Sequence, residues 1–316
     1  MAVVLLVILG VGLIQGAFIL NTVRSMFPKG GKKSRLQRCL SSFQIAPIIL
    51  IEVAEIWFFV MVFLPAEVEL PLSSTKGWIL IFIAFYLWIN MVFNYLAAVI
   101  VSPGYPERRK EFEGDAEMDV RDGDFCPKCD RVRYAGTHHC STCGTCVTFM
   151  SHHCPFTNNC IGLNNYSYFY LFQIYCTLGL LFASYCTYNS FIACMVYDSS
   201  NRQMFYPRYS THMCNELGDY PVLFLVAILL FLFMIIVICY HTILLLADLS
   251  MIEFLRQFQN SSSLWNLFKI MYFRIAGRKK FLLRILLLNH RKKIWKFFLP
   301  VINDIDDHWH GQELPV

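Results

Sequence analysis

An all-α polytopic membrane protein, interrupted by one cysteine-rich insert, is the fold class that the sequence predicts, and three observations predict it. The chain is 56% hydrophobic, 16% aromatic and only 16% charged, too apolar for an ordinary soluble domain. Its apolar residues gather into runs of about 20, the length a helix needs to cross hydrocarbon. Seven of the 13 cysteines and four of the nine histidines fall inside the 35 residues from Cys126 to Cys160, a density that calls for metal. Four core transmembrane helices are expected, with a fifth at the N-terminus and the cysteine-rich domain between core spans two and three.

The first run, residues 3–23, is broken only by Gln15 and small residues. No Lys or Arg precedes it, and Arg24, Lys29, Lys32, Lys33, Arg35 and Arg38 follow it. A cleavable signal peptide has its positive end first, so a retained anchor with its N-terminus outside is expected. Gly10, Gly12 and Gly16 would let it pack closely on a neighbouring helix. Core spans are expected at 44–64, 78–101, 167–197 and 221–247.

Charge sets the orientation. Segments 24–43, 102–166 and 248–316 carry six, seven and eleven basic residues, against one in 66–77 and two in 198–220. The positive-inside rule therefore places the insert, 102–166, and the tail, 248–316, in the cytosol. Glu52 and Glu55 share a helical face near the cytosolic end of their span; pairing with interfacial cations is favoured over an intramembrane site. Asn90 and Asn94 share a face of the next span and read as interhelical hydrogen-bond partners.

Within the insert, Glu107 to Asp124 is charge-dense and reads as a solvated linker before a core at 124–166. The acidity of residues 107–130 argues against nucleic-acid binding. The core offers 11 candidate ligands: Cys126, Cys129, His138, His139, Cys140, Cys143, Cys146, His152, His153, Cys154 and Cys160. Cysteine and histidine together suit tetrahedral zinc, and Cys-x2-Cys pairs place two sulfurs on one ion. A disulfide framework is the competing reading, but it belongs to small secreted domains rather than to a cytosolic loop between spans. Two closed tetrahedral sites use eight ligands and leave three over. Spacing leaves open which three, although a thiol with a histidine two positions away would suit a nucleophile and its base.

The stretch Ser151-His152-His153-Cys154-Pro155-Phe156-Thr157-Asn158-Asn159-Cys160-Ile161-Gly162, followed by Asn165 and Phe169, resembles the signature of the DHHC protein S-acyltransferases, which palmitoylate cysteines. The resemblance covers the cysteine-rich domain closely, the four surrounding spans by order and spacing, and the tail weakly. It implies two structural zinc ions, one on Cys126, Cys129, His139 and Cys146, the other on Cys140, Cys143, His153 and Cys160. It implies Cys154 as nucleophile and His152 as its base, and leaves His138 unassigned. Ser151 stands where the family has Asp, and loss of an equivalent carboxylate in a serine-protease triad costs about 10⁴ in rate. A thiol needs less help from its base, which limits the loss here. Tyr134 and Gly136 replace the family's Pro and Arg, and Phe156 its Trp. Ser102-Pro103-Gly104 replaces Asp-Pro-Gly, and Ser250-Met251-Ile252-Glu253 replaces Thr-Thr-x-Glu.

The implied reaction is thioester exchange: a long-chain acyl-CoA such as palmitoyl-CoA donates to Cys154, which passes the chain to cysteines of membrane-associated substrate proteins. Gly179 and Ala183 lie in the helix where the family sets acyl-chain length. A non-catalytic membrane adaptor that keeps the zinc fold is the alternative, and a transporter reading rests on Glu52 and Glu55 alone. The tail, with Arg278-Lys279-Lys280 and Arg291-Lys292-Lys293, reads as a basic amphipathic segment on the cytosolic face of the lipid bilayer; its cations are also candidates for the phosphates of coenzyme A. The terminal Leu314-Pro315-Val316 faintly resembles a PDZ ligand. Family members reside mostly in the endoplasmic reticulum, Golgi or plasma membrane.

Overall fold

The computed structural model describes residues 75–108, 125–133, 136–195, 219–247, 249–260 and 272. The expected spans at 3–23 and 44–64, with Glu52 and Glu55, lie outside them, as does nearly all of the basic tail. Among the described residues four helices, α1 (Thr75–Ile100), α2 (Tyr166–Met195), α3 (Asp219–Leu246) and α4 (Met251–Asn260), bracket four short strands. These are β1 (His138–Cys140), β2 (Thr145–Val147), β3 (His152–Cys154) and β4 (Asn159–Ile161).

Three of the helices are long and apolar enough to cross a membrane, over Gly77–Ile100, Tyr166–Asn189 and Phe224–Leu246. Each satisfies its backbone groups internally, as a spanning segment must. Their outward faces carry Phe82, Leu229 and Ile236, each more than 60% exposed. Such side chains suit hydrocarbon rather than water.

The described residues fall into two compact units. One takes 75–92, 172–195 and 219–239. There the Tyr86 and Tyr175 hydroxyls lie 3.4 Å apart, Phe191 stacks on Phe224 with ring centres at 4.5 Å, and the Asn90 amide donates to the Tyr86 carbonyl of its own helix.

The other unit takes the remaining segments, including the whole described part of the insert. Two antiparallel hairpins form its frame, β1 with β2 and β3 with β4. They carry the same register, His139 opposite Cys146 in the first and His153 opposite Cys160 in the second. Directly opposed residues on one face of such a pair have Cβ atoms about 5 Å apart, so each hairpin delivers one imidazole and one thiol to a common point.

The end of α1 is tied to the second hairpin by side-chain amides. A helix C-terminus leaves its last carbonyls without partners, and α1 cannot continue because the residue before Pro103 is disfavoured in the helical region. Asn159 Nδ2 donates to Ala98, Val99 and Val101. Asn165 Nδ2 donates to Ala98, Val101 and Cys160, while its Oδ1 accepts from the Gly162 N–H. Ala97, Ala98, Cys154, Ile161, Tyr168 and Phe169 close into one apolar cluster around this junction.

At the end of α3 the chain turns into α4 through a capping box. The Glu253 N–H donates to Ser250 Oγ, and the Ser250 N–H donates to Glu253 Oε2. The Ser-x-x-Glu spacing is what this reciprocal pairing needs.

Gly162 is enforced by space. A Cβ there would lie 2.6 Å from the Pro103 carbonyl oxygen and 2.6 Å from Val147 Cγ1. Gly162→Ala should therefore destabilise the insert by about 1–3 kcal/mol, read as a lower thermal midpoint of the detergent-solubilised protein. An unchanged midpoint would contradict this packing.

Candidate active site and metal centres

The hairpin registers assemble two donor groups. Cys126, Cys129, His139 and Cys146 form one, and Cys140, Cys143, His153 and Cys160 the other, with the ligand atoms of each group within 4.8 Å of one another. In the first, the Cys129 and Cys146 sulfurs are 3.4 Å apart, and His139 Nδ1 is 3.6 Å from Cys126 and 4.0 Å from Cys146. In the second, His153 Nδ1 lies 3.7, 3.4 and 3.6 Å from the sulfurs of Cys140, Cys143 and Cys160.

These spacings fit zinc. An ion with Zn–S near 2.3 Å and Zn–N near 2.0 Å holds tetrahedral ligands roughly 3.3–3.8 Å apart. All seven thiols in the insert are free. Within the second group the donors perturb one another. Hydrogen bonds from Cys143 and Cys160 draw the Cys140 thiol far down, and those with Cys140 and Cys143 lift His153 to about 9. A dication at the centre of each group would satisfy all four donors together.

Strand alternation separates the two functions of β3. Successive side chains of a strand point to opposite faces, so His153 turns towards the second donor group while His152 and Cys154 share the other face. Cys154 is buried against Ala97, Ala98, Tyr168 and Phe169. His152 presents its ring to the same Phe169, with centroids 5.3 Å apart at 67°. Neither belongs to a donor group, and neither does His138, whose Nε2 is buried without a hydrogen-bond partner among the described residues.

Ser151 is 2% exposed and is held by its N–H to the Ile161 carbonyl at 2.8 Å. Its Oγ lies 3.2 Å from His152 Nδ1. Burial first, then the neighbouring His241 and His153, brings His152 down to about 4, so its imidazole is neutral at physiological pH. A hollow beside Ser151 is lined by Phe149, Gly162, Leu163, Tyr166, Leu249 and Ser250.

Two features of the site go beyond the sequence reading. Asn159 and Asn165 were part of the recognised signature, but their shared task of capping α1 is visible only in three dimensions. His241 is marked by no motif or ligand spacing. It lies in α3, 6% exposed, with its ring 6.2 Å from that of His152. The available signal was an ionisable residue inside the apolar run Phe224–Leu246, a position where such residues are costly.

Residues 120–258 match the DHHC palmitoyltransferase family. Palmitoyltransferase ZDHHC16A of Danio rerio is 34% identical over 195 residues, 55% of this chain and 45% of that protein. Palmitoyltransferase ZDHHC15 of Xenopus laevis is 40% identical over 119 residues, 37% and 31% of the two chains. Human palmitoyltransferase ZDHHC3 is 35% identical over 136 residues, 39% and 46%. In each case the matched stretch spans less than half of the relative's length. With its membrane-length helices and paired cysteine–histidine groups, the chain is an integral membrane protein whose residues 120–258 form a DHHC palmitoyltransferase domain.

Proposed function

We propose that the protein is a protein-cysteine S-acyltransferase that works by two thioester exchanges at Cys154. The observation that carries this reading is the placement of His152 and Cys154 on one face of β3, against Phe169, while His153 turns to a donor group.

Nδ1 of His152 is engaged by Ser151, which leaves Nε2 to take the proton of the Cys154 thiol. The thiolate attacks the acyl carbon of a long-chain acyl-CoA such as palmitoyl-CoA. The new sulfur–carbon bond forms, the bond to coenzyme A breaks, and the leaving thiolate recovers the proton from the imidazolium. A cysteine of a membrane-associated substrate protein then repeats the exchange and frees Cys154. Burial of the acyl chain, worth about 0.8 kcal/mol per methylene, suits a helix bundle. Gly179 fits a place in its wall, since a Cβ added there meets no atom within 4 Å.

Cys126, Cys129, His139 and Cys146 would hold one zinc ion, and Cys140, Cys143, His153 and Cys160 the other. Zinc bound there supplies cross-links rather than chemistry, because four protein ligands leave no open position. The full architecture proposed is four core spans with a fifth at the N-terminus. The insert and tail face the cytosol, and the endoplasmic reticulum or Golgi is the compartment.

The reading is tested by labelling the purified, zinc-replete protein with an alkyne-tagged palmitoyl-CoA. Wild type should take up label that neutral hydroxylamine releases, and Cys154→Ser should take up none. Hydroxylamine-resistant label, or equal label on Cys154→Ser, would contradict it.

Ser151 favours a second reading, a membrane adaptor that keeps the fold and has lost turnover. The hollow beside Ser151 gives a longer side chain somewhere to go. On the enzyme reading, Ser151→Asp should speed acylation of Cys154 severalfold, within the ceiling of about 10⁴ set by the carboxylate of a serine-protease triad. No change in the acylation rate would favour the adaptor.

A further inference from the structure

The His152 ring is restrained from more than one side. Ser151 Oγ at 3.2 Å is its polar contact at Nδ1, and it brings no charge. The rest of the restraint is aromatic: Phe169 from α2 at 5.3 Å and His241 from α3 at 6.2 Å, the latter tilted by 37°.

His241 is itself locked in place. Its Nδ1 lies 3.5 Å from the Tyr166 hydroxyl, and the Phe169 and Tyr240 rings meet it edge-on, each at 5.4 Å. One residue further along α3, Thr242 Oγ1 bonds the Tyr170 hydroxyl at 2.8 Å, which fixes the register of α3 on α2 at this level. A buried imidazole in an apolar span is costly, and here it sits where the span meets the base of the proposed reaction.

We infer that His241 is a positioning residue for His152: together with Phe169, and held by Tyr166, it fixes the ring orientation that a carboxylate at position 151 would otherwise help to set. The inference rests on the reading of His152 as the base for Cys154. Its chemistry is that of alignment, and a misplacement of about 1 Å can cost on the order of 10²-fold in rate.

The test uses the full-length, zinc-replete protein and single-turnover acylation of Cys154 by palmitoyl-CoA. His241→Ala should lower the saturating rate constant about tenfold or more, with the half-saturating acyl-CoA concentration and the zinc content unchanged. His241→Phe, which keeps a ring in place, should recover most of the rate. In the Ser151→Asp background the same His241→Ala change should cost less than about threefold, because two groups that restrain one ring are not additive. A wild-type rate for His241→Ala, an equal loss in both backgrounds, or a loss confined to half-saturation or zinc content would overturn the inference.

Alkylation of Cys154 by iodoacetamide without acyl-CoA, followed by peptide mass spectrometry, separates this inference from the proposed function. If wild type takes no acyl group, the enzyme reading fails, yet slower alkylation in His241→Ala still supports positioning. Equal alkylation in the two proteins overturns it.

Discussion

The pairing of His153 with Cys160 across the second hairpin is the constraint on which the site depends. Once those two residues are committed to a common donor group, the pleat of β3 leaves no freedom for their neighbours: His152 and Cys154 must occupy the opposite face. A motif that looks like three adjacent chemical groups is thus divided between two tasks by strand geometry. The first hairpin repeats the device with His139 and Cys146, and there the residue after the histidine, Cys140, crosses to the second group. The two groups are therefore interleaved along the chain, and the loss of a donor from the second group, which draws on both hairpins, would disturb both.

That frame matters only if it is fixed to a membrane-length helix, and the fixing is done by hydrogen bonds rather than by apolar area. Two asparagine amides take up the last carbonyls of α1, groups that would otherwise end unsatisfied beside hydrocarbon. Asn165 also accepts from Gly162 and donates to Cys160, so one side chain joins helix, hairpin and the start of α2. Gly162 has no room for a Cβ at the same junction. Cys154 is held in the apolar cluster that these bonds close.

Much of this was legible in the sequence. Cys-x2-Cys pairs and neighbouring histidines announce metal chemistry through spacing alone, and an apolar run of membrane length announces itself through composition. The partition of 11 candidate donors into two groups was not legible from spacing, because it depends on cross-strand register, and only the family resemblance suggested it. His241 stayed hidden for a similar reason. It is a single polar residue on a helix whose neighbours in space come from another segment. Ser250 and Glu253 read as a degraded version of a family motif, yet they keep a working reciprocal cap, since capping needs only a short hydroxyl and a carboxylate three residues apart. The expected spans at 3–23 and 44–64 lie outside the described residues.

The most direct test of the interleaved frame is zinc K-edge X-ray absorption on the purified protein, combined with its zinc content. Two ions per chain are expected from the two donor groups. Their averaged shell should hold three sulfurs near about 2.3 Å and one nitrogen near about 2.0 Å, with no oxygen. One ion per chain, a four-sulfur shell, or a water in the shell would contradict the assignment of donors from which the placement of His152 and Cys154 follows.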